Sequence, residues 1–187
     1  MQKPTRPSKP KRKGTIEVTC RFFFSVALLF ALLATTQACQ TSTAQDDVTK
    51  DQVEVALNTL IAKFRTERPV DAKAYAGHLK SYLEANPTFY GAAAAILDEN
   101  RNVIACPYVY RASGGFQTLD LATPDYDIEN QAWFSEPLSR EKGNWTAPYF
   151  DEGGGEIWMI TYSVPARDAQ GIFAIVTTDL SLNTPSN

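Results

Sequence analysis

Three observations predict an α+β fold, with a long N-terminal helix and a second helix packed on a single antiparallel sheet. Two early stretches carry apolar residues at helical spacing. From Thr88 the period shortens to that of strands. The strand-like stretches are joined by short polar or glycine-rich turns, which suits an antiparallel meander.

The elements follow in order. Thr49-x-x-Gln52 reads as a capping box opening the first helix. Val53, Leu57, Leu60, Ile61 and Phe64 then form one apolar stripe, which Pro69 interrupts. A second helix, about Val70–Ala85, repeats the pattern with Tyr75, Leu79, Tyr82 and Leu83 and ends at Asn86-Pro87. "FYGAAAAILDENRNVIACPYVYR" reads as a strand, a polar turn near Asp98–Asn102, and one or two further strands. "ASGG" turns the chain and "FQTLDL" supplies another strand; "PDYDIENQAWFSEPLSREKGN" reads as a loop with a short helix. Three strands close the domain, Trp145–Tyr149, Glu156–Val164 and Gly171–Leu182, linked by turns at "DEGGGE" and "ARDAQG".

The net charge of -3 conceals an asymmetry. Residues 1–38 hold seven bases (Lys3, Arg6, Lys9, Lys11, Arg12, Lys13, Arg21) against Glu17; removing these from totals of 18 and 21 leaves 11 and 20, a net of -9 for residues 39–187. So acidic a body disfavours nucleic acid, whose affinity comes largely from Lys and Arg on phosphates. The basic head precedes "FFFSVALLFALLA" (Phe22–Ala34), a run of signal-peptide length, short for a bilayer span. Residues 1–38 therefore read as a signal peptide or membrane anchor, 39–47 as a polar tether, and 48–187 as one exported domain, periplasmic or cell-surface. Three readings of the junction stay open: lipidation at Cys39, secretion after Ala44, or an uncleaved anchor. With Cys20 in the signal and Cys39 at its edge, Cys106 is alone in the body, so no internal disulfide is expected.

Catalysis is not expected, because no nucleophile, base and orienter set is visible and the sole histidine, His78, lies on a helix. "GGG" lacks the Lys-Ser/Thr ending of a phosphate loop and reads as a hairpin turn with Glu152 and Glu156 as solvated shoulders. No metal or cofactor is expected: no Cys/His cluster has ligand spacing, and the acidic loop lacks the ordered pattern of an EF-hand. Alternation in "GIFAIVTTDLSL" puts Phe173, Ile175, Thr177 and Asp179 on one strand face, and Tyr149 and Asp151 share another.

The ordered set "NPTFYGAAAAILDENRNVIACPYVYR", "YDIENQAWF" and "GNWTAPYFDEGGGEIWMITYSVPARDAQGIFAIVTTDLSL" resembles the extracytoplasmic Cache (PDC-type) sensor domains of bacteria, over roughly Thr49–Leu182. The resemblance implies a small-molecule-binding domain that, lacking an output module in this chain, acts through a membrane signalling partner in trans. It also implies a homodimer through the first helix, although packing on its own sheet explains the single stripe equally well. In the amino-acid-binding branch of the family the site residues fall on Tyr126, Trp133, Phe134, Tyr149, Asp151 and Asp179, while the arginine position falls on Gln131. Glutamine cannot replace the bidentate cation that clamps a ligand carboxylate. What remains is an aromatic and acidic cup suited to a cationic amine, with an ordinary amino acid as the alternative ligand, or a docking module whose pocket is vestigial.

Overall fold

The structure is a computed structural model that describes residues 41–182, and Val48–Asn187 forms one compact unit. The candidate signal segment and Cys39 lie outside the described residues. No helix among the described residues is long and apolar enough to cross a membrane.

Helix α1 spans Thr41–Glu67, α2 Ala72–Ala85 and α3 Ala132–Arg140. Strands β1 (Gly91–Leu97), β2 (Val103–Ala105), β3 (Pro107–Ala112), β4 (Gly115–Asp120), β5 (Asn144–Trp145), β6 (Tyr149–Phe150), β7 (Trp158–Arg167) and β8 (Ile172–Ser181) form one antiparallel sheet. Its order is β4-β3-β1-β8-β7-β5, with β2 added to β1 and β6 to β7. The α+β expectation holds.

The first helix starts earlier than the capping-box reading places it, so Thr49 is inside α1 and residues 41–47 are helical. "TSTAQDD" contains no glycine or proline to stop a helix extending toward the N-terminus. The stripe Val53, Leu57, Leu60, Ile61 and Phe64 is buried as expected. Arg68, in the left-handed region at φ 51°, closes α1 by donating its N–H to the Phe64 carbonyl, and Pro69 follows. Asp71 caps α2 by accepting from the Ala74 N–H at 2.8 Å.

Strand β1 explains the layering. Its alanines alternate: Ala92 and Ala94 meet the α1/α2 core, while Ala93 and Ala95 face the opposite cluster around Trp133, Phe134, Tyr126 and Ile175. Four small side chains let both layers approach a strand buried on both faces. Strand β8 beside it departs from simple alternation. Phe173 and Ala174 both pack on the α1/α2 side, and the pattern becomes regular only from Ile175. A register break opposite, between Ala166 and Arg167 of β7, shifts the pairing there, so Phe173 does not share the Ile175–Thr177–Asp179 face.

The expected strand Trp145–Tyr149 is two short pieces, β5 and β6, both on β7. Pro148 has no N–H to give the ladder, which breaks the strand between them. Pro165 is tolerated within β7 because β5 reaches only as far as Ser163, leaving an edge beyond it.

Arg111 ties the α2–β1 corner together. Its guanidinium donates to the carbonyls of Phe89 (2.8 Å), Asn86 (3.3 Å) and Leu83, and lies over the Phe116 ring. The Leu83 and Asn86 carbonyls also accept the N–H groups of Asn86 and Phe89, so the guanidinium reinforces a corner that the backbone has already begun to close. Replacing Arg111 by Met is expected to lower unfolding free energy by about 2 kcal/mol, and Lys to restore only part of it, because one ammonium cannot reproduce the fork. Urea unfolding of the three proteins checks this.

Candidate functional site

On the sheet face away from α1 and α2, two carboxylates are buried together. Asp179 is 3 % exposed, on β8, and Asp151 is 4 % exposed, just past β6. Among the described residues neither forms an ion pair with a Lys, Arg or His. They line one small cavity of about 10 Å³, together with Tyr126, Trp133 and Leu121, with Ala93, Tyr108 and Thr177 of the sheet, and with Tyr149. That volume is no more than one water needs.

Neutral donors hold the acids. Asp151 Oδ1 accepts from the Tyr126 hydroxyl at 2.6 Å, and Oδ2 from the Gly155 N–H at 2.6 Å. Trp133 Nε1 donates in turn to the Tyr126 oxygen at 3.2 Å. Asp179 Oδ1 accepts from the Thr161 hydroxyl at 2.8 Å, which is 2.9 Å from the Tyr149 hydroxyl. Threonine has one hydroxyl hydrogen, so while Asp179 is ionised Tyr149 is the donor of that second bond. Asp179 Oδ2 accepts no hydrogen bond from a described residue.

Burial raises the pKa of both carboxyls. Asp179 is pushed up to about 7, first by loss of water and then by the Asp151 charge, against the opposing influence of the Thr161 hydroxyl and the nearby Tyr108 phenol. Asp151 is raised by burial, offset by its bonds from Tyr126 and Gly155. Burial, followed by the nearby acids, also raises the phenols of Tyr126 and Tyr149, keeping them protonated as donors.

The glycine loop belongs to this site as structure. A side-chain carbon on Gly154 would stand 2.2 Å from Asp151 Oδ2, and one on Gly155 would meet Met159, Tyr108 and Tyr90 at 3.0 Å or less. Gly153 sits at φ +77°, its N–H bonded to Glu156 at 2.6 Å, and Tyr90 donates to the Gly155 carbonyl at 2.8 Å. Among the described residues no acid, His or Cys cluster fits a metal.

Five of the seven residues named from sequence thus meet: Tyr126, Trp133, Tyr149, Asp151 and Asp179. Gln131 does not line the cavity; its amide donates to the Tyr126 carbonyl at 3.0 Å and bends the loop that carries Tyr126. Phe134 points into the core, edge-on to Trp133. Sequence reasoning missed Tyr108, Thr161 and Thr177. Tyr108 and Tyr110, two apart on β3, share a face and stack at 5.2 Å, so the strand period alone could have flagged a pair of polar aromatics on one side of the strand. The fold positions His78 elsewhere, beside Glu67 and the Phe64 ring on the helical layer.

A raised native pKa means that the folded state holds its proton more tightly than the unfolded chain. Asp179 therefore favours folding most below its ordinary value of 3.8, and that contribution is lost as pH climbs to about 7. The melting temperature should fall across pH 4–7 and level off above, with on the order of 4 kcal/mol attached to this group. Asp179→Asn should flatten the profile and raise stability at pH 8, as calorimetric scans at matched ionic strength would reveal.

Comparison with known proteins places this geometry in a lineage. The model of the methyl-accepting chemotaxis protein-like, first PDC sensor domain matches residues 75–186. No curated protein matches. An extracellular domain ascribed to the histidine kinase soHK1S-Z6 shares 27% identity at a TM-score of 0.68, over 87% of this chain and 63% of that one. A second, from the kinase mmHK1S-Z3, shares 18% at a TM-score of 0.55, over 74% and 52%. The ligand-binding domain of the Campylobacter jejuni chemoreceptor Tlp3, in complex with L-valine, shares 17% at a TM-score of 0.58, over 89% and 65%. The chain thus spans less than two thirds of each of these domains, and with the last two it shares the fold alone. The family model covers more than half of the 187 residues. The chain belongs to the methyl-accepting chemotaxis protein-like, first PDC sensor domain family.

Proposed function

We propose that this chain is an exported sensor domain that binds a small cationic amine in the cavity between Asp151 and Asp179 and acts on a membrane signalling partner. The observation that carries this reading is the pair of buried carboxylates with no cation among the described residues to neutralise them. Such a pair is unfavourable alone and favourable around a positive guest. Tyr126, Trp133 and Tyr149 add aromatic surface, and the phenols orient the acids. Export, through the basic head and apolar run of residues 1–38, and a tether at Cys39 belong to the same proposal.

The amino-acid alternative draws on the Tlp3 complexes with L-valine and 4-methylisoleucine. It is the weaker reading here. The position where a carboxylate clamp would stand is Gln131, whose amide is engaged by a backbone carbonyl outside the cavity. A ligand carboxylate would then face two acids and no cation. A docking module with a vestigial pocket would not need a buried carboxylate pair.

Entry requires movement, since the cavity holds about 10 Å³ and both Asp151 oxygens are engaged. A guest ammonium must draw Asp151 from Tyr126 or Gly155, or approach Asp179 Oδ2 directly. The guest therefore competes with the bond that joins the 121–131 loop to the glycine loop.

Calorimetry of the full chain against methylammonium, ethylammonium, glycine, valine and succinate tests the assignment. Amines should bind, and their affinity should rise as pH increases from 6 to 8, because Asp179 must give up its proton. Asp179→Asn should lower amine affinity at least tenfold, as expected for a lost charge-assisted bond. Tight binding of succinate with no amine response would overturn the reading.

A further inference from the structure

The Tyr108 hydroxyl is buried and has no hydrogen-bond partner, although its residue is only 1 % exposed. Buried hydroxyls are rarely left so, because an unmade bond costs about 1–3 kcal/mol. It is an orphan lining the cavity just described. Stacking on Tyr110, at 5.2 Å and 17°, fixes the ring. The oxygen lies close to Asp179 Oδ2: both stand within 2.7 Å of the point where a side-chain carbon on Gly91 would begin. Yet the pair lacks the geometry of a hydrogen bond.

The polar groups facing the cavity can be matched against their partners. The Tyr126 hydrogen is spent on Asp151, the Thr161 hydrogen on Asp179, and Thr177 Oγ1 accepts from the Ala93 N–H at 3.0 Å. Apart from the Thr177 hydroxyl hydrogen, an acceptor, Asp179 Oδ2, and a phenol donor, Tyr108, are left unused among the described residues. A complementary guest presents N–H donors to the first and an oxygen acceptor to the second. That acceptor is neutral, since an anionic oxygen would be repelled by both carboxylates. The two unused groups are neighbours, so the guest's donor and acceptor are close together on a small skeleton.

We propose that Tyr108 is a specificity-determining residue, and that the guest is a small primary amine with a neutral oxygen on the adjacent carbon, of the vicinal amino-alcohol class. This rests on the amine reading of the cavity.

Titration calorimetry of the full chain at pH 8, with ethylamine, ethanolamine and glycine, tests it. Ethanolamine should bind about tenfold tighter than ethylamine, the worth of one hydrogen bond in a buried site, and also tighter than glycine. In Tyr108→Phe the gap should close, ethanolamine losing more affinity than ethylamine. The same variant should melt no lower than its parent, because it removes a hydroxyl that bonds nothing within the fold. Equal affinity of the two amines for the parent chain, or a gap that survives in Tyr108→Phe, overturns the proposal while leaving the amine site intact. A clear fall in melting temperature also overturns it, by showing that the hydroxyl serves the fold. No binding by any amine overturns this proposal and the amine site together.

Discussion

Asp151 and Asp179 are two acids buried around one small cavity, and the surrounding fold is arranged to tolerate them. A buried carboxylate is costly unless it is bonded, neutralised or met by a cation. Here each acid takes one neutral hydroxyl, from Tyr126 or Thr161, and Asp151 takes a backbone N–H besides. The remaining cost appears as raised pKa values. The glycines of the 153–155 loop follow from the same constraint, since the backbone must come close enough to Asp151 to replace water.

The scaffold makes this arrangement affordable. On the far face of the sheet, α1 and α2 bury a continuous apolar layer that includes Val53, Leu57, Phe64, Leu79 and Leu83. Arg111 holds the corner through which α2 enters β1, and β1 pairs with β8 beside Asp179. The Tyr82 hydroxyl, paired with Thr178 at 2.7 Å, reaches the strand residue next to Asp179 from the helical side. A change at the acids is therefore one residue away from a contact with the helical layer.

The two halves of the acidic pair differ in how far the fold satisfies them. The Asp151 side is complete within the fold, with both oxygens satisfied. On the Asp179 side Oδ2 and the Tyr108 hydroxyl face each other unpaired. Groups that serve folding alone are normally satisfied by folding. In the proposed reading, the unfinished half is where a guest has something to contribute.

Local features were legible in the chain itself. The stripes of α1 and α2, the strand-and-turn succession and the acidic body all rest on short-range spacing and composition, which tertiary contacts did not overrule. The convergence of Tyr126, Trp133, Tyr149, Asp151 and Asp179 was legible only through the ordered resemblance, because these residues span more than fifty positions. Tertiary structure alone decided the rest. A register break between β7 and β8 moved Phe173 to the other face, where strict alternation would not put it. Loop geometry turned Gln131 toward a carbonyl and Phe134 into the core, and strand pairing brought Tyr108 beneath Asp179. Periodicity tells which side of its own element a residue occupies; register and loop packing decide what stands opposite, and those depend on the whole sheet at once.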